Sequence, residues 1–268
     1  MGKFEGLLMF SDLDGTLFDE NTEIPERNTK NIRYFISEGG LFSVATGRSH
    51  YSLARYADAL GINAPCILQN GCCVFDYRTQ EFGNDIFLNE TAKEITCEIY
   101  GRYPGVNIVL CVRSGLVVLR EPEKLQGCFD VNFVPVRVGR PESAGEPWYK
   151  VVFVGESEIL ANLDAELGAA GIDGSETVLS GKDMLELMPA GISKATGMLS
   201  IAKQLGFEKE SICAIGDYHN DLEMIKNAGY GATVADAPEE LKDNASFVAC
   251  GNNMGSVGHF IEWLDGRF

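Results

Sequence analysis

Short apolar runs alternating with helical periodicity most constrain what this chain can fold into. Leu7 to Phe10, Leu41 to Ala45 and Cys66 to Leu68 each have strand length. Between the first two, Pro25 can open a helix whose Ile32, Phe35 and Ile36 share a face, and Gly39-Gly40 can close it. Leu53, Tyr56, Ala57 and Leu60 then mark a second amphipathic helix ended by Gly61. This alternation predicts an α/β fold, a parallel sheet covered by helices. The rhythm returns near the C-terminus. Met198, Ala202 and Leu205 stripe a helix stopped by Gly206, Ile212 to Ile215 forms a strand ending in Gly216-Asp217, and short α/β units continue through Trp263.

From about Phe82 to Met188 extended segments become commoner: Val106 to Val112, Leu116 to Leu119, Val131 to Val138, Val151 to Val154 and Met184 to Met188. Helices carrying Ile95 and Ile99, and Leu160, Leu163 and Leu167, interrupt them. The expectation is an α+β insertion, residues 83–188, within a doubly wound, Rossmann-like core formed by 1–82 and 189–268. At 268 residues the chain is long enough for two real cores.

The first strand runs into Phe10-Ser11-Asp12-Leu13-Asp14-Gly15-Thr16-Leu17. Side chains alternate faces along a strand, so Asp12 and Asp14 are expected to start from the same side. Two acids there repel unless a cation lies between them or one is protonated, and both conditions suit chemistry on a phosphoryl group. Gly15 and Thr16 let the backbone turn and aim N–H groups at an anion. Three other candidate sites occupy a similar address: Thr46 after Leu41 to Ala45, Asp217 with Asn220 and Asp221 after Ile212 to Ile215, and Lys194 opening a helix. Carboxyl ends of parallel strands are where open α/β sheets bind ligands. Each alone has a plain explanation as a turn, a strand end or a helix terminus. Together they point to one site.

Lys and Arg number 22 against 39 Asp and Glu, a formal net charge of -17. That argues against general affinity for nucleic-acid polymers or anionic membranes, so an anionic substrate must be captured locally. The eight cysteines, at 66, 72, 73, 97, 111, 128, 213 and 250, form no CxxC pair and mostly lie in apolar runs, as buried free thiols do. No run reaches the roughly 18 to 20 apolar residues of a membrane span. A cytoplasmic location is the expectation. His50 and His259 lack a ligand-spaced companion, whereas His219 lies inside the Asp217 cluster.

These segments resemble the four motifs of the haloacid dehalogenase (HAD) superfamily, and within it the Cof-type phosphatases with a class IIB cap. Phe10 to Leu17 is similar to the first motif, Ala45-Thr46-Gly47-Arg48 to the second, Ile192-Ser193-Lys194 to the third and Gly216-Asp217-Tyr218-His219-Asn220-Asp221 to the fourth. Leu68-Gln69-Asn70-Gly71 resembles the Asn-Gly turn before the cap. Ala195 stands where glycine often follows the lysine, and Val234-Ala235-Asp236-Ala237 where a Met-x-Asn-Ala run is common. Neither departure removes a catalytic group.

The resemblance implies a phosphatase in which Asp12 is the nucleophile, forming an aspartyl-phosphate, and Asp14 the general acid and then base. It implies Mg²⁺ held by the Asp12 carboxylate, the Asp14 carbonyl and Asp217, with Asp221 in the same metal cluster as a supporting partner. Thr46, Lys194, Asn220 and the backbone N–H groups of Leu13 and Gly47 would bind the phosphoryl group. The implied substrate is a small phosphorylated metabolite, sugar phosphates first, with pyridoxal phosphate or nucleotides also open. Asp183 and Glu186 of the cap are candidates to face it. A mutase or phosphotransferase would use the same core motifs. A receiver-like signalling module would also group an acidic cluster, Thr and Lys, but needs only about half this length.

Overall fold

The computed structural model describes every residue except 1, 126–128, 130–131 and 182. In chain order the first segment supplies β1 (Leu8–Ser11), α1 (Glu26–Ser37), β2 (Leu41–Val44), α2 (His50–Leu60), β3 (Cys66–Leu68), β4 (Cys73–Asp76) and β5 (Glu81–Phe82). The middle segment supplies α3 (Glu90–Arg102), β6 (Asn107–Val112), β7 (Gly115–Val118), β8 (Val136–Val138), β9 (Trp148–Val154), α4 (Ser157–Ala170), β10 (Ser175–Leu179) and β11 (Met184–Pro189). The last supplies α5 (Lys194–Leu205), β12 (Ile212–Gly216), α6 (Leu222–Asn227), β13 (Tyr230–Thr233), α7 (Glu239–Asn244), β14 (Phe247–Val248) and α8 (Ser256–Asp265). The chain divides into two compact units, Met1–Gly83 with Ser193–Phe268, and Asn84–Ile192.

In the first unit five strands form a parallel sheet in the order β14-β13-β12-β1-β2. Leu8 and Phe10 point from β1, and Ile212 and Ala214 from β12, into a core closed by Met198, Ile201 and Ala202 of α5. Their spacing of two on strands and three to four on the helix is why one face suffices. Ile201 fills the helix stripe, whereas Leu205 is exposed at the C-terminal end. Gly61 and Gly206 end α2 and α5 with φ of 69° and 78°, the left-handed geometry expected of a helix stop.

Cys66 to Leu68 departs from the parallel expectation. β3 meets the main sheet only through a parallel bridge between Ala45 and Ile67, and otherwise pairs antiparallel with β4 in a three-stranded sheet with β5. The turn Gln69–Gly71 sends the chain straight back along β3, so hairpin pairing takes the partner that another parallel strand would have used.

The second unit is a six-stranded sheet in the order β10-β11-β9-β6-β7-β8, antiparallel except for β7 with β8. Ile108, Leu110 and Val112 of β6, Val151 and Phe153 of β9, and Leu185 and Leu187 of β11 alternate onto one face. There they pack with Ala92 and Ile99 of α3 and Leu160, Leu163 and Leu167 of α4. The strand anticipated over Val131 to Val138 is observed at Val136–Val138. Position 131 lies outside the described residues, and Asn132 and Phe133 are in a turn. Pro135 lacks the N–H needed to continue a ladder N-terminally.

The described cysteines are all free thiols, with Cys97 and Cys250 half-buried and the others buried. Cys128 lies outside the described residues. No helix among the described residues is long and apolar enough to cross a membrane.

Candidate active site

β1 ends at Ser11, between β12 and β2, and the chain leaves the sheet at Asp12. The order places this loop at the carboxyl ends of three adjacent parallel strands, beside the exits of β2 toward Thr46 and of β12 toward Asp217. Gly15 takes φ 77° within the tight turn Leu13–Leu17, closed by the Phe18 N–H donating to Leu13 O at 2.8 Å. A side chain at Gly15 would place its Cβ 2.4 Å from Asp217 Oδ2, so glycine is needed here for close approach as well as for conformation.

Asp12 and Asp14 do not share one environment. Strand alternation stops before either residue, and Asp12 is buried whereas the Asp14 side chain is 56% exposed. Arg48 holds Asp14 with two hydrogen bonds, Nε to Oδ2 at 2.8 Å and Nη2 to Oδ1 at 2.6 Å. The Arg48 guanidinium also lies over the Phe18 ring, 5.3 Å from its centre. Arg48 thus makes a salt bridge to Asp14.

Lys194 at the start of α5 is 1% exposed, and its Nζ donates to Asp12 Oδ1 and Asp221 Oδ1, each at 2.7 Å. Burial works against the ammonium, but Asp12 and Asp221 outweigh it and raise the Lys194 pKa. Burial likewise pushes the Asp12 carboxyl well up, with Lys194 opposing and Asp221 and Asp217 adding to the rise. Asp217 is raised by burial and then by Asp221. Asp221 is fully buried. Its Oδ2 accepts the Asp217 and Tyr218 N–H groups at 3.1 and 3.3 Å, so it braces the loop that carries Asp217.

Carboxylate oxygens of Asp12, Asp217 and Asp221 lie within 4.8 Å of one another. Three carboxylates against one ammonium leave two formal negative charges in a largely buried cluster. That donor set suits a divalent cation with hard oxygen ligands. Thr16 adds a contact the sequence did not single out, donating its hydroxyl to Asp217 Oδ1 at 3.0 Å. Thr233 similarly ties β13 to this loop, its hydroxyl donating to Gly216 O at 2.8 Å.

Thr46 is buried, and its Oγ1 accepts the Arg48 N–H at 3.1 Å. Gly47 is half-buried beside it, and Leu13 has its side chain in the core. Asn220 is exposed in the turn His219–Asp221, outside the buried cluster. His219 is exposed and lies 3.5 Å from Glu240. His50 packs against Tyr51, Phe75 and Phe82, and His259 Nδ1 accepts the Cys250 N–H at 2.9 Å, so both have structural partners. Asp236, at the variant position of the last loop, lines a cavity of about 380 Å³ with Gly15, Asp217, Tyr218 and Asn252. In the second unit Asp183 is exposed, whereas Glu186 accepts from Lys150 Nζ at 2.8 Å in a buried pair.

Against known proteins, residues 9–261 match the family model of haloacid dehalogenase-like hydrolases. The chain belongs to that family. Among curated relatives it is 28% identical over 279 residues to the 5-amino-6-(5-phospho-D-ribitylamino)uracil phosphatase YwtE of Bacillus subtilis, covering 94% of this chain and 96% of that protein. A haloacid dehalogenase-like hydrolase from Bacteroides thetaiotaomicron has the same fold, with a TM-score of 0.88 and 26% identity over 97% of this chain and 100% of that one. A HAD subclass IIB sugar phosphatase superposes with a TM-score of 0.83 over 96% of this chain and 98% of its own, and at 20% identity that likeness concerns the fold. This chain is therefore a HAD-type enzyme with a parallel-sheet core and an additional, largely antiparallel sheet.

Proposed function

We propose that this HAD hydrolase is a Mg²⁺-dependent phosphatase that cleaves a small phosphomonoester through an aspartyl-phosphate at Asp12. The observation that carries the reading is the buried Asp12–Lys194–Asp221 arrangement with Asp217 beside it, at the carboxyl ends of the parallel strands. An Asp12 oxygen would attack phosphorus while the bond to the leaving alcohol breaks and Asp14 delivers a proton to the alcohol oxygen. Asp14 would then take a proton from water as that water attacks phosphorus, breaking the bond to Asp12 and restoring its carboxylate. Arg48 orients Asp14 for both transfers. Lys194, the Thr46 hydroxyl and the N–H groups of Leu13 and Gly47 would meet the phosphoryl oxygens, with Asn220 reaching them from the exposed turn.

Asp12, Asp217 and the Asp14 carbonyl would hold Mg²⁺, with Asp221 fixing the Asp217 loop. Bound there, the ion supplies positive charge that offsets the negative charge of the phosphoryl oxygens. Phosphate monoesters need acceleration of up to about 10²¹-fold, which is why so many groups converge.

The relative's named substrate is phosphorylated on a ribityl chain. We therefore place this chain's substrate among phosphate esters of polyhydroxylated carbon chains, sugar phosphates first. The test is phosphate release from ribose 5-phosphate, glucose 6-phosphate, pyridoxal phosphate, a nucleotide and p-nitrophenyl phosphate, with Mg²⁺ and with a chelator, for wild type and Asp12→Asn. Turnover that needs Mg²⁺ and falls on the order of 10⁴-fold in Asp12→Asn supports the reading. Near-normal turnover in Asp12→Asn removes the nucleophile role.

A further inference from the structure

Gln69, Asn70 and Gly71 are three consecutive residues with positive φ, at 52°, 57° and 109°. Residues other than glycine rarely enter this region, and two in succession persist only where their surroundings over-determine them. Two backbone hydrogen bonds do so here. The Gln69 N–H donates to Arg48 O at 3.1 Å, and the Asn70 N–H donates to Thr46 O at 3.0 Å. They grip the residues on either side of Gly47. The Asn70 carboxamide lies against Gly47 itself, since a Cβ at Gly47 would stand 3.2 Å from its Oδ1 and 3.4 Å from its Nδ2. The same turn packs on α5, whose first residue is Lys194.

The geometry points to Asn70 as a positioning residue: its backbone anchors Thr46 and its carboxamide backs Gly47, fixing the donor loop that also carries Arg48. The inference rests on the reading of Thr46 and Gly47 as phosphoryl-binding groups. Donors held rigid in advance need no reorganisation when charge develops on the phosphoryl oxygens, which is where a positioning residue exerts its effect. Asparagine suits the site because it tolerates the left-handed conformation while carrying a planar amide that can lie on a glycine. The strained turn is thus explained by the loop it supports.

Asn70→Gly tests this, because glycine adopts the same left-handed backbone and removes the side chain, carboxamide included. The expected result is a melting temperature close to wild type with kcat lowered about 10- to 100-fold and a smaller change in KM, as when a reacting group is misplaced. Affinity for orthovanadate, which mimics five-coordinate phosphorus, should fall more than affinity for inorganic phosphate. Independently of activity, hydrogen exchange at the Gly47 and Arg48 amides should accelerate in the variant. If wild type releases no phosphate from any ester, the phosphatase reading fails while the exchange experiment still decides the grip of Asn70 on the loop. Unchanged exchange at Gly47 and Arg48 overturns the inference whatever the activity, and so do kcat and orthovanadate affinity within twofold of wild type.

Discussion

At the scale of single residues, the site turns on how one ammonium is shared. Lys194 neutralises part of a cluster of three carboxylates from inside the protein, and neither Asp12 nor Asp221 has solvent to replace it. Removing one partner of a buried ion pair typically costs about 3–5 kcal/mol, because the other charge stays buried. Lys194→Met should therefore lower stability by about that amount at pH 7 in denaturant titrations. The sign with pH follows from the carboxyls. Burial raises Asp12 and Asp217, so the folded state holds protons that the unfolded chain releases. Without the ammonium this rise is larger, and the loss in Lys194→Met should shrink as pH falls through the raised folded values. A deficit that stays constant or grows on acidification would contradict the charge account. The acidic strand end and the lysine were legible in the sequence as residue types. The pairing of Asp14 with Arg48 was not, because it depends on β1 stopping at Ser11 and turning Asp14 outward.

At the scale of elements, turns and helix ends do most of the positioning. α1 and α8 pack together, joined by Arg27 Nε to Glu262 Oε1 at 3.0 Å and Asn31 Nδ2 to the same oxygen at 2.8 Å. The Arg27 hydrogen bond is the main cause that holds Glu262 below its ordinary carboxyl value of 4.5. A carboxyl with a depressed folded pKa contributes stability that is fully present above 4.5 and is lost as pH falls through the lower folded value. Because both side chains are more than a third exposed, solvent screening keeps the contribution below about 1 kcal/mol. Glu262→Gln should lower the melting temperature by a few degrees at pH 7, and by progressively less as pH falls below 4.5.

Element existence was readable where a local signal sufficed, as with Gly61 and Gly206 at helix ends and the extended apolar runs of β6 and β9. Strand direction was not. A three-residue apolar run such as Cys66 to Leu68 looks alike in either kind of sheet, and only the following turn decides its partner. The pairs β4 with β5 and β10 with β11 escaped for a related reason. Glu81–Phe82 is too short to show alternation, and Ser175–Leu179 is an edge strand with mostly exposed side chains.

At the scale of the whole molecule, each unit has its own core. The second unit's core depends on Phe153 of β9, which is fully buried among Leu110, Leu163 and Leu185 and other apolar side chains. Phe153→Ala should cost about 3–5 kcal/mol. Amide exchange of β6, β9 and β11 is the suitable measurement, since a chain of two units has no guaranteed single unfolding transition. Protection in those strands should drop, and unchanged protection would show that the core tolerates the cavity. The formal charge of -17 acts over the molecule in the opposite sense to the site, repelling the anion that the site would bind. Capture would then depend on Lys194, the N–H donors of Leu13 and Gly47 and the proposed Mg²⁺.

The proposed covalent role of Asp12 is tested most directly by trapping. Wild-type protein mixed with a hydrolysable phosphoester and Mg²⁺ is treated with borohydride, which reduces an acyl phosphate to the alcohol, and the modified peptide is located by mass. Homoserine should form at position 12, and only when the ester is present. Steady phosphate release with no such reduction, or reduction at a different carboxylate, would contradict that role.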